Sequence, residues 1–379
     1  MEMTQLHDEG SELYRLGEGE LRLYKNQQIE KLFLELTNQC NFSCRMCFRN
    51  NFTNPFTMMS DEVLNAVLDN IRNGLPHLKR ALVGGIGEPL LHPRVREVLA
   101  ALKERGVEVS LQTNGVLLND GMIDFLFEHD IDRVVTSFEC GQLGHVEATT
   151  LERTITNIAA RRKDRGRPNH PRLIVEWILT KSSMTELSEK ARELAGMGVN
   201  EFILSNMLPV EEQLAEESLI FSPAAGSPDK VAWLHKGDIL EPFINALRYR
   251  AAVKRPEFHV KTERACAFID DNSTVVRNDG AVTACYRLLH DSREYYQGRW
   301  RDVQAHSYGN ITERSLVEIW NDRDYMWFRH HVRNSLYPSC HDCELRDGCD
   351  YILDTTADCM LNSPSCADCL WGRKILICP

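Results

Sequence analysis

Between residues 30 and 206 six short apolar runs of β character alternate with amphipathic helical runs, and this alternation limits the possible folds more than any other feature. The strand candidates are KLFLELT (31–37), KRALVGG (79–85), VEVSLQT (107–113), IDRVVTSF (131–138), LIVEWIL (173–179) and EFILSN (201–206). The segments between them carry helix punctuation. Ser60 can cap a helix whose Val63, Val67, Leu68 and Ile71 share a face, with Gly74 past its end. Pro93 suits the first turn of a helix whose Val95, Val98, Leu99 and Leu102 form one stripe before Gly106. Residues 182–198 repeat the pattern. Six strand–helix units in succession predict a parallel α/β sheet with helices outside and right-handed crossovers. Six units fall short of a closed eight-strand barrel, so a curved, partly open (β/α)6 barrel is expected, with its site at the C-terminal strand ends. Cys40 follows the first strand, the glycines at 84–87 the second and Asn114-Gly115 the third, while Ser137 ends the fourth. These residues are expected to meet on one rim.

The alternation stops after 206. SPAAGSP (222–228) reads as a loop and residues 239–255 as a helix. A second composition begins near 257, where two β-like runs flank Asn278-Asp279-Gly280, a hairpin signal. A helical stretch (315–332) and a cysteine-dense tail follow. The 379 residues suffice for a large and a smaller domain, divided as an extension (1–29), a core barrel (30–256) and a small cysteine-rich domain (257–379). The 44 Lys+Arg against 55 Asp+Glu give a net charge of −11, which argues against a nucleic-acid surface. The one dense basic run, RRKDRGR (161–167), reads as a solvated helix end. No apolar run approaches the roughly 18 residues of a membrane span, and the first thirty residues lack a signal-peptide pattern. A cytoplasmic, membrane-free protein is expected.

Thirteen cysteines in a reducing compartment point to metal ligation rather than disulfides. Cys40, Cys44 and Cys47 form a loop with three and then two intervening residues; Cys140 stands alone. Iron–sulfur cubanes normally take four thiolates, so three leave one iron open to an exogenous ligand. A Cys3His zinc knuckle is the alternative, but no histidine lies in 38–76. Nine cysteines follow residue 265: Cys266, Cys285, Cys340, Cys343, Cys349, Cys359, Cys366, Cys369 and Cys378. Two [4Fe-4S] clusters need eight, and zinc ribbons use similar paired cysteines.

The three-cysteine loop after a strand, with VGGIGEPLLHP (83–93) after the next, resembles the radical SAM superfamily. The resemblance implies that Cys40, Cys44 and Cys47 hold a [4Fe-4S] cluster whose fourth iron takes S-adenosylmethionine. It places Gly84, Gly85, Gly87 and Glu88 along the methionine moiety, and Ser137, Asn114 and Glu139 toward ribose or carboxylate. Met46 stands where the family often has an aromatic residue. A glycine before Cys285, then YGNITERSLVEIWNDRDYMWFR (308–329), then C-x2-C-x5-C, resembles the SPASM domain, which carries one or two auxiliary [4Fe-4S] clusters. Carried over, Cys266 and Cys285 belong to the first and Cys340, Cys343 and Cys349 to the second. The division of Cys359, Cys366, Cys369 and Cys378 stays open.

SPSCADCLWGRKILICP (363–379) resembles a SPASM subgroup associated with maturation of tungsten-containing aldehyde oxidoreductases. The implied function is radical maturation of a peptide, protein or protein-bound cofactor, with a ferredoxin- or flavodoxin-type reductant. Alternatives are ribosomal-peptide or sulfatase-type side-chain modification, a non-catalytic multi-cluster electron carrier and a zinc scaffold. Glu176, Asp270, Asp271 and Tyr286 are candidates to face substrate, and His330-His331 reads as packing.

Overall fold

The computed structural model describes residues 10–138, 148–219, 247, 250–257, 264–296 and 299–378. The chain opens with an antiparallel hairpin, β1 (Ser11–Leu16) and β2 (Gly19–Tyr24), within the segment read from sequence as an extension. Tyr14 of this hairpin stacks on Trp327 at 4.6 Å and donates its hydroxyl to Arg323 O at 2.8 Å, so the hairpin packs on the helical segment that holds both.

All six strand candidates form strands: β3 (Lys31–Leu34), β4 (Arg80–Val83), β5 (Glu108–Thr113), β6 (Arg133–Phe138), β7 (Arg172–Leu179) and β8 (Glu201–Asn206). Each pairs in parallel with the next. Five helices lie between or beside them: α1 (Asp61–Asp69), α2 (Val95–Glu104), α3 (Asp120–Glu128), α4 (Ala148–Asp164) and α5 (Leu187–Met197). Ser60 Oγ accepts from Val63 N–H, as the sequence predicts, and Gly198 ends α5 with φ of +117°. The apolar stripes of α1 and α2 are buried against the sheet. The basic run at 161–167 is tied down: Arg161 pairs with Asp124 at 2.9 Å, and buried Arg162 donates to Gly198 O at 2.7 Å.

The sheet is wider than six strands. Its order is β11-β10-β3-β4-β5-β6-β7-β8-β9, with β9 (Ala252–Lys254), β10 (Ser273–Val276) and β11 (Val282–Thr283). Residues 252–254 belong to the stretch read as a helix; the described end is instead a strand. The free edge of β8 decides this, because Ala252 N–H donates to Asn200 O and the next residues pair in parallel with β8. Most of the rest of 239–255, and all of 222–228, lies outside the described residues. The Asn278-Asp279-Gly280 hairpin forms between β10 and β11, and β10 pairs in parallel with β3. The cysteine-rich segment thus extends the same sheet. It continues through α6 (Ala267–Asp270), the hairpin β12 (Ser292–Tyr296) and β13 (Arg299–Val303), α7 (Leu316–Trp320) and α8 (Arg323–Arg333). The helix read at 315–332 breaks at Asn321-Asp322, since Asp322 caps a new helix by accepting from Asp324 N–H. Among the described residues no helix is long and apolar enough to cross a membrane.

Candidate metal and cosubstrate site

The C-terminal ends of β3 to β8 frame an open cavity of about 1270 Å³ of empty space. Cys40, Cys44 and Cys47 line it, with Gly85, Gly87, Glu88, Asn114 and Ser137. The loop that carries the three cysteines has few regular backbone bonds, so side chains hold it. Asn38 bonds Pro55 O and Thr57 N–H; Asn278, from the β10–β11 turn, donates to Thr57 O at 2.9 Å. Arg49, 7% exposed, donates to Asn38 O, Phe42 O and Cys47 Sγ. Asn50 gathers Cys44 O and Arg45 O at 3.0 Å each. Asn114 reaches Cys40 Sγ at 3.6 Å. Burial raises the Cys40 thiol, while nearby N–H groups and Arg49 oppose that shift. These are the contacts a thiolate needs.

The glycine loop follows β4. Gly84 and Gly85 have φ of +124° and +109°, the left-handed region that favours glycine. A Cβ at Gly85 would overlap the Tyr286 ring, and one at Gly87 would meet the carbonyl oxygens of Thr37 and Gln39. Gly87 is therefore where the glycine and cysteine loops touch. Glu88 N–H donates to Gln39 O at 2.7 Å, while its carboxylate accepts from Thr113 Oγ1, Asn114 N–H and Leu90 N–H. Glu88 thus ties the ends of β4 and β5 to the cysteine loop. At 1% exposure its carboxyl is pushed up by burial against those three donors.

Of the residues proposed to face substrate, Glu176 and Tyr286 line the cavity. Tyr286 donates to Gly84 O at 3.2 Å, and Gln112 Nε2 donates to Glu176 at 2.8 Å. Asp271 does not; it pairs with Arg80 at 3.3 Å, at the opposite ends of the strands. Asp270 is its neighbour, on α6. Met46 is buried against Met207, Val210 and Leu214 and supplies apolar wall in place of an aromatic ring. Glu139 and Cys140 lie outside the described residues. His331 packs on Trp327, 3.9 Å between ring centroids. Gln112, Ser205, Asn206 and Trp371 also line the cavity and carry no motif. For the three on strands, the signal was a polar residue near the C-terminal end of an otherwise apolar run.

The remaining cysteines sort by place. Cys266, Cys285, Cys366 and Cys369 line one small apolar cavity, walled by Phe268, Ile269, Phe328 and Trp371. Arg287 lines it too, and its Nε and Nη1 are buried without hydrogen-bond partners among the described residues. Four thiols around a void that Arg287 also lines fit a cluster whose sulfurs accept N–H bonds. Burial pushes Cys285 up to about 12, so ligation as thiolate needs a compensating charge such as Arg287. Cys359 lies within electrostatic reach of Cys349 and Cys343, and Cys340 within reach of Cys359 and Cys349. Cys378 belongs to neither set and lines the large cavity. Arg287 pairs with Glu294 at 2.7 Å, and Arg301 approaches the same carboxylate at 3.6 Å. Arg301 also acts on Cys340, so one buried Arg–Glu–Arg bridge spans both cysteine sets.

Comparison with known proteins agrees with this geometry. The radical SAM superfamily profile matches residues 34–144, and the SPASM iron–sulfur cluster-binding domain profile matches 266–344. The chain is 38% identical over 363 residues to the tungsten-containing aldehyde ferredoxin oxidoreductase cofactor-modifying protein of Pyrococcus furiosus, covering 93% of this chain and 97% of that one. It resembles in fold Streptococcus suis SuiB bound to S-adenosylmethionine (TM-score 0.57, 14% identity, 86% of this chain, 73% of that one). It also resembles anSMEcpe with bound AdoMet (TM-score 0.57, 16% identity, 91% and 93%). The three-thiol loop, the glycine loop that touches it and the cysteine-rich segment on the same sheet place this chain in the radical SAM superfamily, among its members with a SPASM iron–sulfur domain.

Proposed function

We propose that this chain reductively cleaves S-adenosylmethionine and abstracts a hydrogen atom in maturing the cofactor of a tungsten-containing aldehyde oxidoreductase. The observation that carries the chemistry is the shared cavity: one loop supplies three thiols to it, facing glycines that leave room for a ligand. A [4Fe-4S] cluster with S-adenosylmethionine supplies, when bound, a 5′-deoxyadenosyl radical. The chain's own residues do the rest. Cys40, Cys44 and Cys47 hold three irons, and Arg49 and Asn114 stabilise their thiolates. Gly84, Gly85 and Gly87 let backbone groups approach the methionine moiety, and Glu88 fixes the loops from behind. Asn114 and Ser137 complete the cosubstrate wall. Met46, Met207 and Leu208 keep water from the reacting atoms.

Cys266, Cys285, Cys366 and Cys369 form the first auxiliary ligand set and Cys340, Cys343, Cys349 and Cys359 the second. The working division is a core barrel (30–256), preceded by an N-terminal extension (1–29), and an auxiliary-cluster domain (257–379). The substrate reading rests on the 38% identical relative, a tungsten-containing aldehyde ferredoxin oxidoreductase cofactor-modifying protein. A ferredoxin- or flavodoxin-type donor in a reducing cytoplasm supplies electrons. A pure electron carrier gains nothing from a cavity beside a three-thiol loop. The test is Cys44→Ala in anaerobically reconstituted protein: 5′-deoxyadenosine formation is expected to vanish while about eight irons remain per chain. Undiminished 5′-deoxyadenosine in that variant would remove the proposal.

A further inference from the structure

Nine cysteines follow residue 265 and eight form the two sets, so Cys378 is left over. The chain's last residues carry it into the barrel. Asn206 Nδ2 donates to Ile375 O at 2.8 Å, Ile377 N–H to Ser205 Oγ at 3.1 Å, and Lys254 to Cys378 O at 2.7 Å. Ile377 packs on Val135, Ile174 and Ile203 inside the barrel. Cys378 follows and lines the cavity that the three-cysteine loop also lines.

Two further features mark this wall as a reaction surface. Asn206, 2% exposed, lines the cavity with its Oδ1 buried and, among the described residues, without a hydrogen-bond partner, an acceptor for a ligand N–H or O–H. Trp371 Nε1–H donates to Cys378 Sγ at 3.0 Å, and Trp371 also lines the cavity of Cys266, Cys285, Cys366 and Cys369. One indole therefore connects the leftover thiol to the first auxiliary set. Burial raises the Cys378 thiol to about 12, which keeps its S–H at neutral pH.

We propose that Cys378 is the hydrogen-atom donor to the substrate radical and Trp371 the electron relay that restores its thiol; this rests on the S-adenosylmethionine reading above. The substrate C–H bond breaks and its hydrogen leaves in 5′-deoxyadenosine. The carbon radical then takes hydrogen from Cys378: the S–H bond breaks, a C–H bond forms and a thiyl radical remains. An S–H bond is weaker than an aliphatic C–H bond, so this transfer runs downhill. One electron from the ferredoxin- or flavodoxin-class donor, delivered by way of Trp371, and one proton from water re-form the thiol. The substrate is neither oxidised nor reduced overall. The class it fits is a molecule with an N–H or O–H for Asn206, rearranged or inverted at one carbon.

The test uses reconstituted holoenzyme, S-adenosylmethionine and dithionite in D2O with no added substrate, comparing wild type with Cys378→Ala and the isosteric Cys378→Ser. The cavity thiol carries solvent deuterium, so wild type is expected to release 5′-deoxyadenosine bearing one deuterium at C5′. Labelling is expected to fall roughly tenfold or more in both variants, with iron unchanged at about twelve per chain. Equal labelling in variants and wild type overturns the proposal, as does loss of about four irons, which would make Cys378 a ligand. Trp371→Phe is expected to retain label and iron but to stop near one labelling event per chain; repeated turnover would overturn the relay. If wild type itself forms no 5′-deoxyadenosine, the underlying reading has failed, a result distinct from all of these.

Discussion

Gly87→Ala tests whether the glycine and cysteine loops are one mechanical unit. A Cβ at residue 87 would collide with the carbonyl oxygens of Thr37 and Gln39 and lie 2.9 Å from the Asn38 carbonyl carbon. All three atoms are backbone, in the segment that leads into Cys40, so no side-chain rotation relieves the clash. Overpacking of this kind costs about 1–3 kcal/mol. Separating the loops also weakens the 2.7 Å bond from Glu88 N–H to Gln39 O, worth about 1 kcal/mol. The expected loss of about 2–4 kcal/mol corresponds to roughly 3–5 °C in melting temperature for a chain of this length. Gly196→Ala is the matched control: it lies in α5 with open space around its Cβ position, and is expected to stabilise by about 0.5–1 kcal/mol. Anaerobic thermal unfolding and iron analysis read both variants. Gly87→Ala should also drop from about twelve to about eight irons per chain, because the displaced segment carries Cys40. Melting within about 1 °C of wild type with full iron would refute the coupling of the two loops.

The ligand division makes Cys359→Ser and Cys366→Ser each lose about four irons, from different clusters, so the double variant should lose about eight; equal loss in double and single variants would place the two cysteines in one set. Arg287→Gln should destabilise by about 3–5 kcal/mol, because it breaks a buried pair whose side chains are each 4% exposed. With a positive charge gone from beside the first auxiliary set, the reduction potential of that cluster should fall, as read by EPR-monitored titration. Burial raises the Glu294 carboxyl, but Arg287 and Arg301 outweigh that and hold it below its ordinary 4.5. A carboxyl depressed by folding stabilises above its unfolded value and loses that contribution as pH falls through the folded one. Denaturation by acid below about 4.5 should therefore be shallower in Glu294→Gln than in wild type; identical slopes would show that the bridge does not titrate.

The alternation of β runs and helical stripes determined the central six-stranded parallel sheet, because side-chain periodicity is a local property of the backbone. Cys40, Cys44 and Cys47 and the Gly84–Gly87 run were legible for the same reason: a ligand loop and a close backbone approach are written in consecutive residues. Tertiary structure decided what depends on distant chain ends meeting. Residues 252–254 became strand because β8 offered an open edge, overriding local helix preference. Glu88 lines the cavity, and its carboxylate also holds Thr113, Asn114 and Leu90, partners that spacing does not reveal. The nine later cysteines gave a count without a partition. Only folding sets Cys366 and Cys369 beside Cys266 and Cys285, some hundred residues earlier, and turns Cys378 into the barrel, because ligand sets form by proximity in space while sequence records only order along the chain.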